Sequence, residues 1–185
     1  MEPVIRVAVT VTFLRMELPS TTPAPSLPAS TSLVRVRRPS VAFYRFLYDT
    51  VGADYVWWLR RTMPDRELAA LLADKHVSIH VLYEDGQPAG FFELDGRGAP
   101  DMNLSYFGLM PHALGRGMGP AFLRAATDAA WASGPRWVTV NTCTADHPRA
   151  LPGYLRAGFR PIRNVREVWD VPVRLGLRIP ETLLA

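Results

Sequence analysis

Leu104-Ser105-Tyr106-Phe107-Gly108-Leu109-Met110-Pro111, followed by Gly115-Arg116-Gly117-Met118-Gly119 and a long amphipathic run, reads as strand, glycine loop and helix. This order points the first free N–H groups of a helix at whatever anion lies beyond the strand end. Glycines at 115, 117 and 119 remove the side chains that would hold a bulky phosphate away from the main chain. The helix reading rests on Ala121, Phe122, Ala125, Ala126, Ala129 and Ala130, which recur at helical spacing and share one face. A ligand carrying a pyrophosphate is the first expectation, against the alternative that the glycines serve turn geometry alone.

Neither standard nucleotide fingerprint fits. The loop lacks the Lys-Ser/Thr ending of a triphosphate loop, and its glycines are spaced G-x-G-x-G instead of G-x-G-x-x-G. The run Asp146-His147-Pro148-Arg149-Ala150-Leu151-Pro152-Gly153-Tyr154-Leu155-Arg156-Ala157-Gly158-Phe159 resembles the short helix and Gly-Phe strand start that close the fold in the GCN5-related N-acetyltransferase (GNAT) superfamily. The glycine loop resembles that family's acyl-CoA pyrophosphate loop, Q/R-x-x-G-x-G/A, with Leu114 in the Q/R position and Gly117 and Gly119 as the small residues. The resemblance spans residues 77 to 171 and reaches the first 76 only in order of elements. It implies an α/β fold with a mixed, mostly antiparallel central sheet flanked by about four helices. It also implies acetyl-CoA as co-substrate.

At 185 residues the chain suits one domain, residues 1–185, able to bury a substantial core. A hydrophobic content of 48% with 21% charged residues is that of an ordinary globule. The net charge of +4 is scattered over Arg35, Arg37, Arg38, Arg60, Arg61, Arg163 and Arg166, where a nucleic-acid surface needs a dense basic stripe with aromatics. Cys143 is the only cysteine, which excludes an intrachain disulfide. His112 and His147 lack a third ligand, so no metal is expected. No apolar run approaches the ~20 residues of a membrane span, and Met1 to Leu18 alternates as a strand, not as a signal peptide. A cytoplasmic protein is expected.

Residues 4–16 read as a first strand and 19–32 as a Pro/Ser/Thr-rich surface loop. Val41 to Val51 reads as a helix ending at Gly52, and Pro64-Asp65 as the first turn of a second helix through Ala73. Val77 to Tyr83, Pro88 to Asp95 and Met102 to Met110 read as three antiparallel strands joined by short turns. After a helix over 117–133, Trp137 to Asn141 is expected to lie parallel to Met102–Met110 through a right-handed crossover. Phe159 to Ile162 and Glu167 to Val171 are expected to form a final hairpin.

In the resembled family the strands corresponding to 102–110 and 137–141 splay apart, often at a β-bulge, and the pantetheine arm bonds the exposed edge. Phe107, Gly108, Leu109 and Met110 are the positions implied, with Asn141 across the gap and Leu114, Gly115, Arg116, Gly117, Met118 and Gly119 at the diphosphate. An N–H near Leu109 would also polarise the thioester carbonyl. Tyr154 matches the tyrosine that protonates the departing thiolate in many relatives; the alternative is a helix tyrosine packing on the core, since Ala150, Tyr154 and Gly158 share a face. His147 either contacts the pantetheine or caps a helix. Pro152 is expected to delay the start of its helix.

Acyl transfer to an amine needs a base as well as an acid. The strand position where many relatives carry glutamate holds Asn103, which cannot take a proton. Counting the hairpin about a turn near Gly98 puts Glu93 opposite Asn103, hence on the same face; Asp101 is the second candidate. The alternative for Glu93 is a surface carboxylate pairing with Arg97 or Arg124. Cys143 has no neighbour to activate it as a nucleophile. Trp57, Trp58, Tyr44, Tyr48 and Tyr55 read mainly as core, with some free to line an acceptor pocket. The chain thus reads as an acetyl-CoA-dependent N-acetyltransferase acting on a small-molecule or peptide amine, with no nucleic-acid or membrane partner and a homodimer left open. A non-catalytic acyl-CoA-binding module and a dimerisation domain on the same fold are the rivals.

Overall fold

The computed structural model describes residues 2–185; Met1, at the head of the predicted alternation, lies outside them. One seven-stranded sheet runs through the molecule in the order β2-β3-β4-β5-β6-β1-β7. Its strands are β1 (Val4–Met16), β2 (Thr31–Val36), β3 (Val77–Glu84), β4 (Gln87–Asp95), β5 (Met102–Leu109), β6 (Val138–Cys143) and β7 (Arg160–Pro172). Every neighbouring pair is antiparallel except β5 with β6. The helices are α1 (Val41–Val51), α2 (Leu59–Thr62), α3 (Asp65–Ala73), α4 (Gly119–Trp131) and α5 (Ala150–Arg156). No helix among the described residues is long and apolar enough to cross a membrane.

Local sequence accounts for the helix ends. Ser40 caps α1 by accepting from the Phe43 amide, and the Gly52 amide closes its far end on Tyr48. Asp65 and Glu67 lie in the first turn of α3, where the helix dipole favours negative charge. Pro152 falls in the first turn of α5, so the helix begins at Ala150, where the loss of one amide costs little.

Two cores sandwich the sheet. On one face Tyr44, Leu47, Tyr48 and Val51 of α1 and Leu68, Leu71 and Leu72 of α3 meet Val77, Ile79, Val81 and Phe91. On the other, Phe122, Ala126 and Ala130 of α4 and Tyr154 of α5 cover Phe92, Leu94, Leu104, Val138 and Val140. Full burial of each large side chain here is worth about 1.5–3 kcal/mol. A third cluster joins Val7, Val9 and Val11 of β1 to Val56, Ala145 and the C-terminal Leu183.

Three expectations are corrected. The loop expected over 19–32 ends two residues earlier, because Thr31–Val36 pairs with β3 as an edge strand. The expected hairpin over 159–171 is instead one continuous strand, β7, laddered along β1 from Val4 to Arg15. The β4–β5 ladder sets Asp95, not Glu93, opposite Asn103, and sets Glu93 opposite Tyr106.

Candidate active site: a forked sheet and an amide-lined loop

β5 and β6 pair only from Met102 with Val138 to Leu104 with Val140. Beyond that point the strands part. The fork opens where β5 carries an extra residue: Leu104 faces Leu94 and Tyr106 faces Glu93, leaving Ser105 unmatched as a bulge. The Met110 amide donates to the Ala89 carbonyl at 2.8 Å, so the expected contact of that amide with a pantetheine arm is corrected: it is already spent. Antiparallel alternation then directs Gly108 toward β4 as well and turns the main-chain groups of Phe107 and Leu109 into the fork.

Past the end of β5 the chain crosses a short 3-10 turn, Pro111–Ala113, and enters the glycine loop. Gly115 and Gly117 take φ of +74° and +80°, a region that side chains resist. A Cβ on Gly115, Gly117 or Gly119 would meet no heavy atom within 4 Å. The amides of residues 115–119 have no acceptor among the described residues, since the first helical bond runs from Phe122 to Met118. Five successive unsatisfied N–H groups at the positive end of a helix, bordered by open space, fit a diphosphate. Met118 offers only its main chain, its side chain being buried in the core. Leu114 is exposed. The Arg116 guanidinium is held in a two-pronged ion pair by Glu84, one of whose contacts is 2.8 Å.

Tyr154 stands on α5 with its ring edge-on to Phe107 and Phe159, at 6.5 and 5.7 Å. Burial first, and then the Asp146 charge, raise its pKa well above the ordinary phenol value, so the hydroxyl keeps its proton at neutral pH. Asp146 fixes the β6–α5 connection by accepting from the Thr142 hydroxyl (2.7 Å), the Cys143 amide (2.9 Å) and Trp57 Nε1 (3.3 Å). His147 Nδ1 accepts from the Arg149 amide at 3.0 Å, the capping geometry. Asn141 is exposed on β6 beside the fork, opposite Phe13. Burial pushes the Cys143 thiol up to about 12, which leaves it unreactive at neutral pH.

The two carboxylates expected near the fork behave differently. Glu93 is fully buried, accepts from the Tyr44 hydroxyl, and pairs with Arg60 at 2.7 Å; the expected pairing with Arg97 or Arg124 gives way, since those arginines bind Asp95 and Asp128. Asp101 lies four residues before the bulge, about 13 Å along the strand. It lines a cleft of about 480 Å³ with Asp95, Arg97, Gly98, Asn103 and Thr139. Asp101 Oδ1 is buried without a partner among the described residues. Thr139 donates to Asn103 Oδ1 at 3.2 Å, across the paired part of β5 and β6 that leads to the fork. Arg60 had no signal in the sequence beyond its place in a scattered basic set. Its connection to Glu93 exists only in three dimensions.

A parallel pair of strands that separates at a bulge, beside a helix whose opening amides are unclaimed, defines the class: an α/β protein with an open, forked sheet. Residues 51–173, well over half of the chain, match the family model described as an acetyltransferase (GNAT) domain, and the chain belongs to that family. Its fold is that of solved GNAT proteins. A GCN5-related N-acetyltransferase from Kribbella flavida superposes with a TM-score of 0.62 at 17% identity, covering 94% of this chain and 63% of the other. A tandem GNAT protein from the clavulanic acid biosynthesis pathway gives 0.64 at 16% identity, covering 91% and 55%. A GCN5-related N-acetyltransferase from Sphaerobacter thermophilus gives 0.56 at 18% identity, covering 92% and 53%. The chain therefore spans between about half and two thirds of the length of these structures. No curated protein sequence matches it.

Proposed function

We propose that this protein transfers an acetyl group from acetyl-CoA to a primary amine, of a small molecule or a peptide, by direct attack while both substrates are bound. The observation that carries this reading is the run of unpaired amides over residues 115–119 at the head of α4, next to a fork whose edge presents Phe107 and Leu109. Acetyl-CoA supplies the activated acyl group. The loop amides bind its diphosphate, and the main chain of Phe107 and Leu109 aligns the pantetheine arm along β5. Asn141 and His147 border the same channel. The Leu109 N–H polarises the carbonyl under attack. Tyr154, protonated throughout the neutral range, delivers its phenolic proton to the departing sulfur.

Removal of the ammonium proton falls to the polar cleft lined by Asp95, Arg97, Asp101, Asn103 and Thr139. Glu93 is enclosed by Tyr44 and Arg60, whereas Asp101 Oδ1 is an unclaimed carboxylate oxygen at the cleft's end. We assign that proton to Asp101, which it reaches through solvent along the cleft and not by direct contact with the amine. A second reading, an acyl-CoA-binding module without turnover, draws on Asn103 and on the engagement of Glu93. Acetyl-CoA calorimetry followed by an amine screen for thiol release tests both: affinity with turnover supports transfer, affinity without turnover supports the binder, and absence of affinity refutes the loop assignment.

A further inference from the structure

The chemistry above leaves the buried pair of Arg60 and Glu93 without a task. Side-chain exposure is 13% for Arg60 and 0% for Glu93. Taking two charges out of water is a poor way to stabilise a fold, since an apolar pair of equal volume does as well or better. What the pair does achieve is a fixed guanidinium. Arg60 Nη2 is held by Glu93 at 2.7 Å and Nε donates to the Tyr44 hydroxyl at 3.3 Å, while the main-chain amide of Arg60 donates to Tyr48. The remaining nitrogen, Nη1, has no partner among the described residues and is not among the polar atoms sealed from solvent.

Its position is informative. The Arg60 guanidinium lies 5.2 Å over the ring of Tyr106, the residue next to the bulge. Trp57 packs on that ring at 5.0 Å and lies 3.8 Å from where a Cβ on Gly108 would project. Arg60 therefore borders the fork on the α1 side of the sheet, the side away from α4. On that same side Arg163 lies over Phe13 at 4.3 Å, and Phe13 faces Asn141 across the ladder. The carboxylates at this place are both engaged, Glu93 by Arg60 and Tyr44, and Asp146 by Thr142, Cys143 and Trp57. A guanidinium held in place by Glu93 and Tyr44 on two of its nitrogens, with the third free, offers donors of fixed direction to an anionic group on the acceptor.

We infer that the acceptor is an amine that also carries a carboxylate, and that Arg60 Nη1 binds that carboxylate and so sets specificity. The inference rests on the acetyl-transfer reading, and its test separates the two. Wild-type protein is saturated with acetyl-CoA and given α- and ω-amino acids and short peptides, each beside its carboxamide counterpart, with thiol release and calorimetric binding both measured. The acids should be preferred over their carboxamides by on the order of ten- to a hundredfold in KM, the scale of one hydrogen bond to a charged group. Because Arg60→Gln alone strands a buried charge, the comparison uses Arg60→Gln with Glu93→Gln, its fold checked by acetyl-CoA affinity, and there the preference should fall to near unity. Carboxamides served as well as acids by wild type, or a preference that survives the double substitution, would overturn the inference. An acid that binds wild type but not the double variant, without thiol release, sustains the Arg60 anchor and refutes the transferase reading instead.

Discussion

Replacing Gly108 by alanine tests how tightly the fork is held by α1. The added Cβ would lie 2.4 Å from Val51 Cγ1, more than 1 Å inside a normal carbon contact. Val51 is 3% exposed and β-branched within a helix, so it has one strongly preferred rotamer and cannot swing clear. Either the end of α1 or the edge of β5 must shift, at about 1–3 kcal/mol, which for a chain of this size lowers the melting temperature by roughly 2–12 °C. Val51→Ala alone removes two methyl groups and costs about 1.5–2.5 kcal/mol, transfer plus cavity. Together the two changes should partly cancel, because the new methyl enters the space the old ones left. The expected coupling is on the order of 1–2 kcal/mol, read from a double-mutant cycle of denaturant or thermal unfolding. Acetyl-CoA affinity, measured on the same four proteins, should fall with Gly108→Ala and recover in the double variant. Stability changes that add to within about 0.5 kcal/mol would show that Gly108 and Val51 do not share this contact and that α1 does not fix the fork.

Tyr154→Phe should lower kcat by about 10²–10⁴-fold, the range for loss of a general acid, with acetyl-CoA affinity retained; an unchanged kcat in steady-state assays would remove the phenol from the acid role. Gly117→Val combines φ of +80° with open space around the new side chain; it should cost about 1–2 kcal/mol of stability and weaken acetyl-CoA binding more than tenfold by calorimetry, and an undiminished affinity would refute the diphosphate site. Burial first, and then the Arg35 charge, lower the pKa of His80 from 6.5 to about 4, so the unfolded chain takes up a proton that the folded one refuses. Its contribution is complete above pH 6.5 and is lost as pH falls toward 4. With partial exposure discounted it is worth about 1–2 kcal/mol, and His80→Gln should flatten that portion of the stability–pH curve.

Most of the fold was legible where one face of an element is buried. α1 and α3 show helical spacing against one core, and β3, β4 and β5 show strand signals bounded by turns. Edges were not legible. β2 exposes Leu33 and Val34 at its rim, and β7 is exposed or half-exposed over nearly its whole length, so neither carries the alternation that a half-buried strand requires. The polar run Arg163–Arg166 looked like a turn for the same reason. In the site, the position of the glycine loop between β5 and α4 could be read from spacing, because its backbone geometry is set locally by Gly115 and Gly117. Glu93 was placed on the correct face but in the wrong register, since the hairpin centres one residue later than Gly98 and the bulge at Ser105 adds another offset. Its partners Tyr44 and Arg60 come from two helices far earlier in the chain, and no local pattern signals such a meeting.

The outer rim of β7 ends the sheet with thirteen residues whose hydrogen bonds on that side have no strand to meet among those described. Such a rim invites other chains to stack on it and grow fibrils. In its first half Pro161 supplies a missing donor, and Arg160, Arg163 and Arg166 supply like charges, so a second copy attempting to extend the ladder in register there would meet electrostatic repulsion and a gap in the bonding pattern. The rim thereby guards the protein against self-templated aggregation, at no expense to the opposite side of the strand, which β1 holds.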